Sequence, residues 1–205
     1  MSLQTLSIEA VAGHAAFRHL STLDALIDVD LRYPTANNFA GRVLYRDWDC
    51  AWLRQEAAAG LEVAAAWLAA QRPGWRIRVL DALRPHRVQQ AIWADVVGTP
   101  MQTYFADPAR GSIHSFGMAV DATLLTPQGT EADMGSAFDE MSLISHPAMN
   151  DEHLALGQLT AAQVTDRGWL HAAMVRGGFR GIPTEWWHFD WGDRATVRLT
   201  GPRVD

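Results

Sequence analysis

The sequence predicts an α+β fold, a single compact domain over residues 1–205 with a central, mostly antiparallel sheet flanked by helices. Three observations predict it. Helical and strand periodicities are both present, in segments that do not alternate as a regular βαβ repeat. No internal repeat, low-complexity stretch or linker divides the 205 residues. The apolar share of 48% against 20% charged residues suffices for a packed core and is too high for disorder.

Residues 1–50 read as loops and short elements, with 21–30 open to helix or strand and Tyr33–Asn38 rich in turn formers. Residues 51–71 are rich in Ala and Leu, and Leu53, Ala57, Leu61, Ala64 and Leu68 recur at helical spacing. That predicts a helix, interrupted only by Gly60 and ended by Arg72-Pro73-Gly74. Trp75, Ile77 and Val79 alternate with Arg76 and Arg78, which predicts a strand over 75–80. Residues 86–97 predict a second helix, closed by Gly98-Thr99-Pro100, and 100–111 a loop. A strand is expected over 118–125. Residues 126–157 hold five glycines and prolines and predict a long irregular segment, of the kind that is usually functional. A helix over 160–176 stops at Gly177-Gly178, and a final strand spans 185–191.

The net charge of −6 opposes binding to a polyanion, and no Lys/Arg cluster is interleaved with aromatics, so no nucleic-acid partner is expected. No apolar stretch is long enough to span a membrane. Cys50 is the only cysteine, which excludes an intramolecular disulfide and favours a reducing compartment. Residues 1–5 lack a basic region followed by an apolar stretch, so no secretory signal is read and the cytoplasm is the expected location. A homo-oligomer is left open.

Two short strings carry the chemistry: Ser112-Ile113-His114-Ser115-Phe116-Gly117-Met118-Ala119-Val120-Asp121 and Glu185-Trp186-Trp187-His188. His114, Asp121 and His188 offer two ring nitrogens and a carboxylate, the three protein ligands of a catalytic zinc site, and Glu185 offers a nearby base. The seven-residue step from His114 to Asp121 fits a loop ligand followed by a strand ligand, with Gly117 turning the chain between them. Asp121 is unfavourable inside a strand and costly to bury unless it is paired or metal-bound. In a regular strand Glu185 and His188 would point to opposite faces, so their convergence requires either a bend or a Glu185 that still belongs to the preceding turn at Pro183-Thr184. His146 and His153 are an alternative pair without a third ligand.

These strings resemble the D-alanyl-D-alanine dipeptidases of the VanX type, zinc peptidases related to the D,D-carboxypeptidases. The pattern Ser-x-His-x-x-Gly-x-Ala-x-Asp matches 112–121, and Glu-x-Trp-His matches 185–188. The segments beginning at Asp30 (Tyr33-Pro34-Thr35 through Asn38-Phe39-Ala40-Gly41), at Asp81 (through Arg84-Pro85) and at Met134 (Gly135-Ser136-Ala137-Phe138-Asp139) resemble three further family segments. The five matches are in order and cover most of the chain. Two positions depart from the pattern: Phe116, where the family often has Arg, and Leu83, where it often has an aromatic. The pocket is expected to differ there.

The resemblance implies that His114, Asp121 and His188 bind Zn2+ in a cleft, that Glu185 is the catalytic base, and that Arg84 steadies the transition state. It also implies that Asp139 and Tyr33 receive the substrate's free amino group and that Ser112 lies near the peptide or its carboxylate. The expected partner is a small dipeptide, D-Ala-D-Ala or a close relative. The rival readings are a zinc D,D- or L,D-carboxypeptidase or endopeptidase acting on longer peptidoglycan peptides, and a zinc-binding protein without catalysis. Read from the residues alone, Arg84 serves equally as a salt-bridge partner of Asp81, and Asp139 as a loop carboxylate.

Overall fold

The computed structural model describes residues 5–205; the reading of a missing leader rests mainly on residues 1–4, which lie outside the described residues. Its strands are β1 (Thr5–Leu6), β2 (Phe17–His19), β3 (Ile27–Val29), β4 (Trp52–Arg54), β5 (Arg76–Asp81), β6 (Ala119–Leu125), β7 (Phe179–Ile182), β8 (Glu185–Trp191) and β9 (Arg203–Val204). Its helices are α1 (Gln55–Gln71), α2 (His86–Val96), α3 (Asn150–Ala155), α4 (Ala161–Arg176) and α5 (Arg194–Thr200). The main sheet has the order β3-β5-β6-β8-β7, and two small pairs, β1-β9 and β2-β4, lie outside it. Only β3 and β5 run parallel within the main sheet; its other three pairings are antiparallel. The α+β expectation with a mostly antiparallel sheet therefore holds.

β6 is the central strand and all seven of its residues are buried, which explains why its apolar run continues on both faces. Asp121 sits in that strand. Its cross-strand partners are Asp81 on β5 and His188 on β8, so three chemistry-bearing residues form one row across the middle of the sheet.

The helix expected over 51–71 starts at Gln55 instead, because Trp52–Arg54 extend to pair antiparallel with β2. Ala57, Ala58, Leu61, Ala64, Ala65 and Leu68 form its buried face. Gly60 belongs to that face for a packing reason. A Cβ there would lie 2.3 Å from the carbonyl oxygen of Gly177, at the end of α4. α1 and α4 thus meet backbone to backbone on one side of the sheet. Residues 21–30 form a short 3₁₀ turn ending at Thr22, then β3. β7 and α5 were not expected from the sequence.

The long segment 126–157 is irregular, with 3₁₀ turns at Leu143–Ser145 and Pro147–Met149 and then α3. It is held by one side chain of α4. Arg167 donates through Nε to the Met134 carbonyl (2.7 Å) and through Nη1 to the Ile144 carbonyl (2.9 Å) and Asn150 Oδ1 (2.8 Å). Its Nη2 donates to Ser136 Oγ at 3.1 Å. Phe138 is packed against Trp187 and Tyr33, and Leu31, Phe138 and Met141 touch both hydrophobic clusters of the molecule. These contacts fix the backbone that presents Asp139. Among the described residues no helix is long and apolar enough to cross a membrane.

Candidate active site

His114 comes from a 3₁₀ turn, Ile113–Phe116, that leads into β6 through Gly117. Gly117 has φ +64°, and a Cβ on it would come within 2.8 Å of the Phe17 ring, so only glycine closes this turn without displacement. His114 Nδ1 donates to the Ala82 carbonyl at 2.7 Å, leaving the Nε2 lone pair free. His188 Nε2 donates to Asp190 Oδ1 at 2.9 Å, leaving the Nδ1 lone pair free. The two free nitrogens face each other at 3.1 Å and face Asp121 Oδ1 at 3.4 Å and 3.0 Å. Ligand bonds of about 2.0–2.1 Å in a tetrahedral site put neighbouring donors about 3.3–3.4 Å apart. The three donor atoms therefore fit one small divalent ion, and no other cluster of this kind occurs among the described residues.

The electrostatics follow from burial. Desolvation pushes Asp121 up, but His114 and then His188 outweigh it and hold the carboxyl below its usual range. Burial disfavours a charged His188 ring, yet Asp190 and Asp121 outweigh that and raise it well above the usual histidine value. In the metal-free fold these two carboxylates favour the protonated His188 ring, whose Nδ1 then donates to Asp121 Oδ1 at 3.0 Å.

Glu185 and His188 line the same cleft despite their three-residue spacing. Glu185 is the first residue of β8 and not part of the preceding turn, and the strand pairing supplies the bend instead. β7 and β8 keep regular register from Phe179↔Trp191 to Gly181↔Phe189, then shift so that Ile182 pairs with Glu185. Burial raises Glu185 to about 7, with His188 partly offsetting the rise. A base with that affinity for a proton is matched to neutral solution.

Arg84 follows β5 and is almost fully buried. It pairs with Asp81 at 2.7 Å, receives support from Gln89 Oε1 at 3.2 Å, and reaches Asp121 Oδ2 at 3.5 Å. Tyr45 OH in turn donates to Asp81. The Asp81 salt bridge and a place in the cleft thus coexist. Tyr33 lies beneath the guanidinium, 4.8 Å from ring centroid to Cζ. Asp139 is buried at φ +61°, a conformation that Asp tolerates better than most residues. One oxygen accepts from Phe39 N–H at 3.3 Å, and burial followed by Asp121 pushes its pKa well above the usual range. Ser112 precedes the His114 turn and also lines the cleft.

The metal donors His114, Asp121 and His188 and the expected catalytic and substrate-binding residues Glu185, Arg84, Asp139, Tyr33 and Ser112 therefore line one cleft of about 240 Å³. Phe116 and Leu83 do not. Both are buried in the core, at 1% and 0% exposure, and neither borders the cleft, so the expectation that they reshape it is corrected. Leu83 points into the core while its neighbour Arg84 points into the cleft, as alternation along extended chain requires. His146 and His153 form no second site. His146 bonds Tyr104, while His153 bonds Gln158 and the Leu143 carbonyl. Sequence reading missed Asp190, Tyr45 and Gln89. For Asp190 a signal was present: in a strand, residues two apart share a face, so His188-x-Asp190 puts a carboxylate beside the ring.

An α+β domain holding this donor set beside a desolvated carboxylate and a fixed guanidinium has the parts of a metal-dependent hydrolase. The comparisons with known proteins narrow that class. The chain belongs to the D-ala-D-ala dipeptidase family of M15 peptidases, whose model matches residues 14–202. It is 34% identical over 173 residues to a D-alanyl-D-alanine dipeptidase of Escherichia coli (strain K12), covering 84% of this chain and 83% of that protein. It is 31% identical over 172 residues to a D-alanyl-D-alanine dipeptidase of Synechocystis sp., covering 69% of this chain and 70% of that one. A solved structure of the LdcB LD-carboxypeptidase superposes with a TM-score of 0.46 at 16% identity, over 85% of this chain and 70% of its own.

Proposed function

We propose that this chain is a zinc-dependent dipeptidase that hydrolyses D-Ala-D-Ala, or a close relative, to free amino acids. The observation that carries the reading is the convergence of the His114, Asp121 and His188 donor atoms within one cleft that also holds Glu185, Arg84 and Asp139. His114, Asp121 and His188 would hold the ion. When bound, zinc supplies a Lewis acid that makes water a nucleophile near neutral pH and polarises a carbonyl. Glu185 takes the proton of the attacking water and delivers it to the leaving amine. Arg84, fixed by Asp81 and Gln89, stabilises the negative charge that develops on the carbonyl oxygen. Asp139 receives the substrate's ammonium group, whose charge offsets the cost of a buried carboxylate. A cleft of about 240 Å³ is below the roughly 300–1,000 Å³ of pockets for larger ligands, which suits a dipeptide over a longer chain. The single, buried Cys50 supports a cytoplasmic setting.

The test is amino-acid release by purified, zinc-loaded protein from D-Ala-D-Ala, D-Ala-D-Ala-D-Ala, L-Ala-L-Ala and mixed-chirality dipeptides, with a chelator control. Chelator-sensitive cleavage of D-Ala-D-Ala but not the tripeptide is expected. Preference for the tripeptide would favour the carboxypeptidase reading, and no turnover with zinc bound would favour a non-catalytic protein.

A further inference from the structure

One end of the cleft carries positive charge that is only partly matched by acids among the described residues. Arg110, Arg194 and Arg198 all line it. Arg194 is bonded to Asp190 Oδ2, so its charge is matched. Arg198, on α5, is held by its Nε, which donates to the Gly111 carbonyl at 3.0 Å. Its two terminal nitrogens find no protein acceptor among the described residues. Arg110 is exposed beside it and likewise forms no side-chain ion pair among the described residues. Burial, and then the neighbouring guanidinium groups of Arg110 and Arg194, push Arg198 below its ordinary value. The one acid acting on it, Asp190, is already shared between His188 and Arg194. A half-buried cation among like charges is costly unless an anion arrives to meet it.

Asp139 lines the same cleft and is the acid assigned to the substrate's ammonium group. The charged groups acting most strongly on Asp139 are Asp121, Arg84 and Glu185. His188 turns Nδ1 to Asp121 and Nε2 to Asp190. Arg194 is bonded to Asp190 on the Nε2 side of His188, with Arg198 beside it, whereas Asp139 accepts from Phe39 N–H. Gly111, whose carbonyl anchors Arg198, immediately precedes Ser112.

We propose that Arg198, assisted by Arg110, is the subsite for the free α-carboxylate at the C-terminal end of the substrate. It deepens the dipeptidase reading, on which it rests. A zwitterionic dipeptide then fits in one direction only, ammonium toward Asp139 and carboxylate toward Arg198. A guanidinium with two unengaged nitrogens suits a carboxylate. An amidated or extended C-terminus forfeits that contact.

The test has two arms. The first follows binding of N-acetyl-D-alanine and its primary amide to metal-free protein by NMR titration, where neither turnover nor metal coordination contributes. The acid should bind and the amide should not, and Arg198→Gln should weaken the acid by about ten- to a hundredfold, the loss of one charge-assisted hydrogen-bonded pair. Arg198→Lys should fall between the two. Arg110→Gln, at an exposed position, keeps the test valid if Arg198→Gln folds poorly, and should weaken the acid less. The second arm compares turnover of D-Ala-D-Ala and D-alanyl-D-alaninamide: the preference for the free acid should collapse in Arg198→Gln through KM, with kcat little changed. Acid binding as tight in Arg198→Gln, or in both Arg198→Lys and Arg110→Gln, as in the wild type overturns the subsite. Absence of turnover on either dipeptide, with acid-selective and Arg198-dependent binding intact, would instead remove the dipeptidase reading and leave the carboxylate subsite standing.

Discussion

His188 Nε2 donates to Asp190 Oδ1 at 2.9 Å while the same ring turns Nδ1 toward Asp121. The carboxylate fixes both the tautomer and the ring plane, and Arg194 holds the carboxylate from behind. Asp190→Asn leaves the strand intact but weakens this hold and lowers the basicity of the ring. The expected result is a loss of about 10–100-fold in metal affinity. Competition with a chromophoric chelator measures it, and unchanged affinity would sink the orienting role of Asp190.

Among the described residues the Glu185 carboxyl has no side-chain hydrogen-bond partner, which leaves it open to exchange a proton with a substrate. Glu185→Gln should keep the ion and lower turnover by about 10²–10⁴-fold. Metal content by atomic emission, measured beside kcat, separates this outcome from loss of the site. Full activity in this variant would dismiss Glu185 as the base.

The same residue makes a stability prediction of the opposite sign. Burial raises Glu185 in the metal-free fold to about 7 from an ordinary value of 4.5. A raised carboxyl contributes its stability below the unfolded value and loses it as pH climbs through the folded one. Between pH 4.5 and 7 the metal-free protein should therefore lose about 3 kcal/mol through this group. Glu185→Gln should remove most of that slope and leave the metal-free protein more stable than wild type at pH 8. Urea denaturation of both proteins across that range reads the difference directly.

Metal binding must displace the proton that His188 holds above its usual range. Affinity should accordingly rise with pH across the neutral region, with proton release on binding. Calorimetric titration in two buffers of different ionisation enthalpy counts the protons. A pH-independent affinity with no release would mean that His188 is not protonated in the metal-free protein.

The donors were legible in the sequence because each needs a special local setting: a histidine before a turn glycine, an acid inside an apolar strand, a histidine after aromatics. The row Asp81–Asp121–His188 was not legible, since it depends on the register of three strands and registers are set by tertiary packing. The bend that brings Glu185 beside His188 was only one of two options the sequence left open and was not locatable, because it lies in the pairing with β7, four residues with no alternation to announce them. α5 escaped notice because Thr196, Val197 and Thr200 are weak helix formers; its start is fixed by Asp193, whose side chain accepts from Thr196 N–H at 2.9 Å. Residues 51–54 fitted the helical pattern, but pairing with β2 overrode it.

Two glycines inside helices should answer the same substitution with opposite signs. Replacing an exposed mid-helix glycine by alanine gains about 1 kcal/mol from propensity. Gly168, in α4, has nothing within 4 Å of an added Cβ, so Gly168→Ala should stabilise by that amount. Gly60, in α1, has the Gly177 carbonyl oxygen 2.3 Å from the same atom. That oxygen is backbone and cannot swing aside, so α1 and α4 must separate, and overpacking of this kind costs roughly 1–3 kcal/mol or more. The clash outweighs the propensity gain, and Gly60→Ala should be net destabilising by about 1–2 kcal/mol, or roughly 2–8 °C in Tm for a chain of this size. A Cβ on Gly60 would meet Gly177 and Trp191 and none of the metal donors, so metal affinity should stay near wild type in both variants. Thermal unfolding of the pair in parallel decides it: a rise in Tm for Gly60→Ala would show that the backbone contact between the helices is loose.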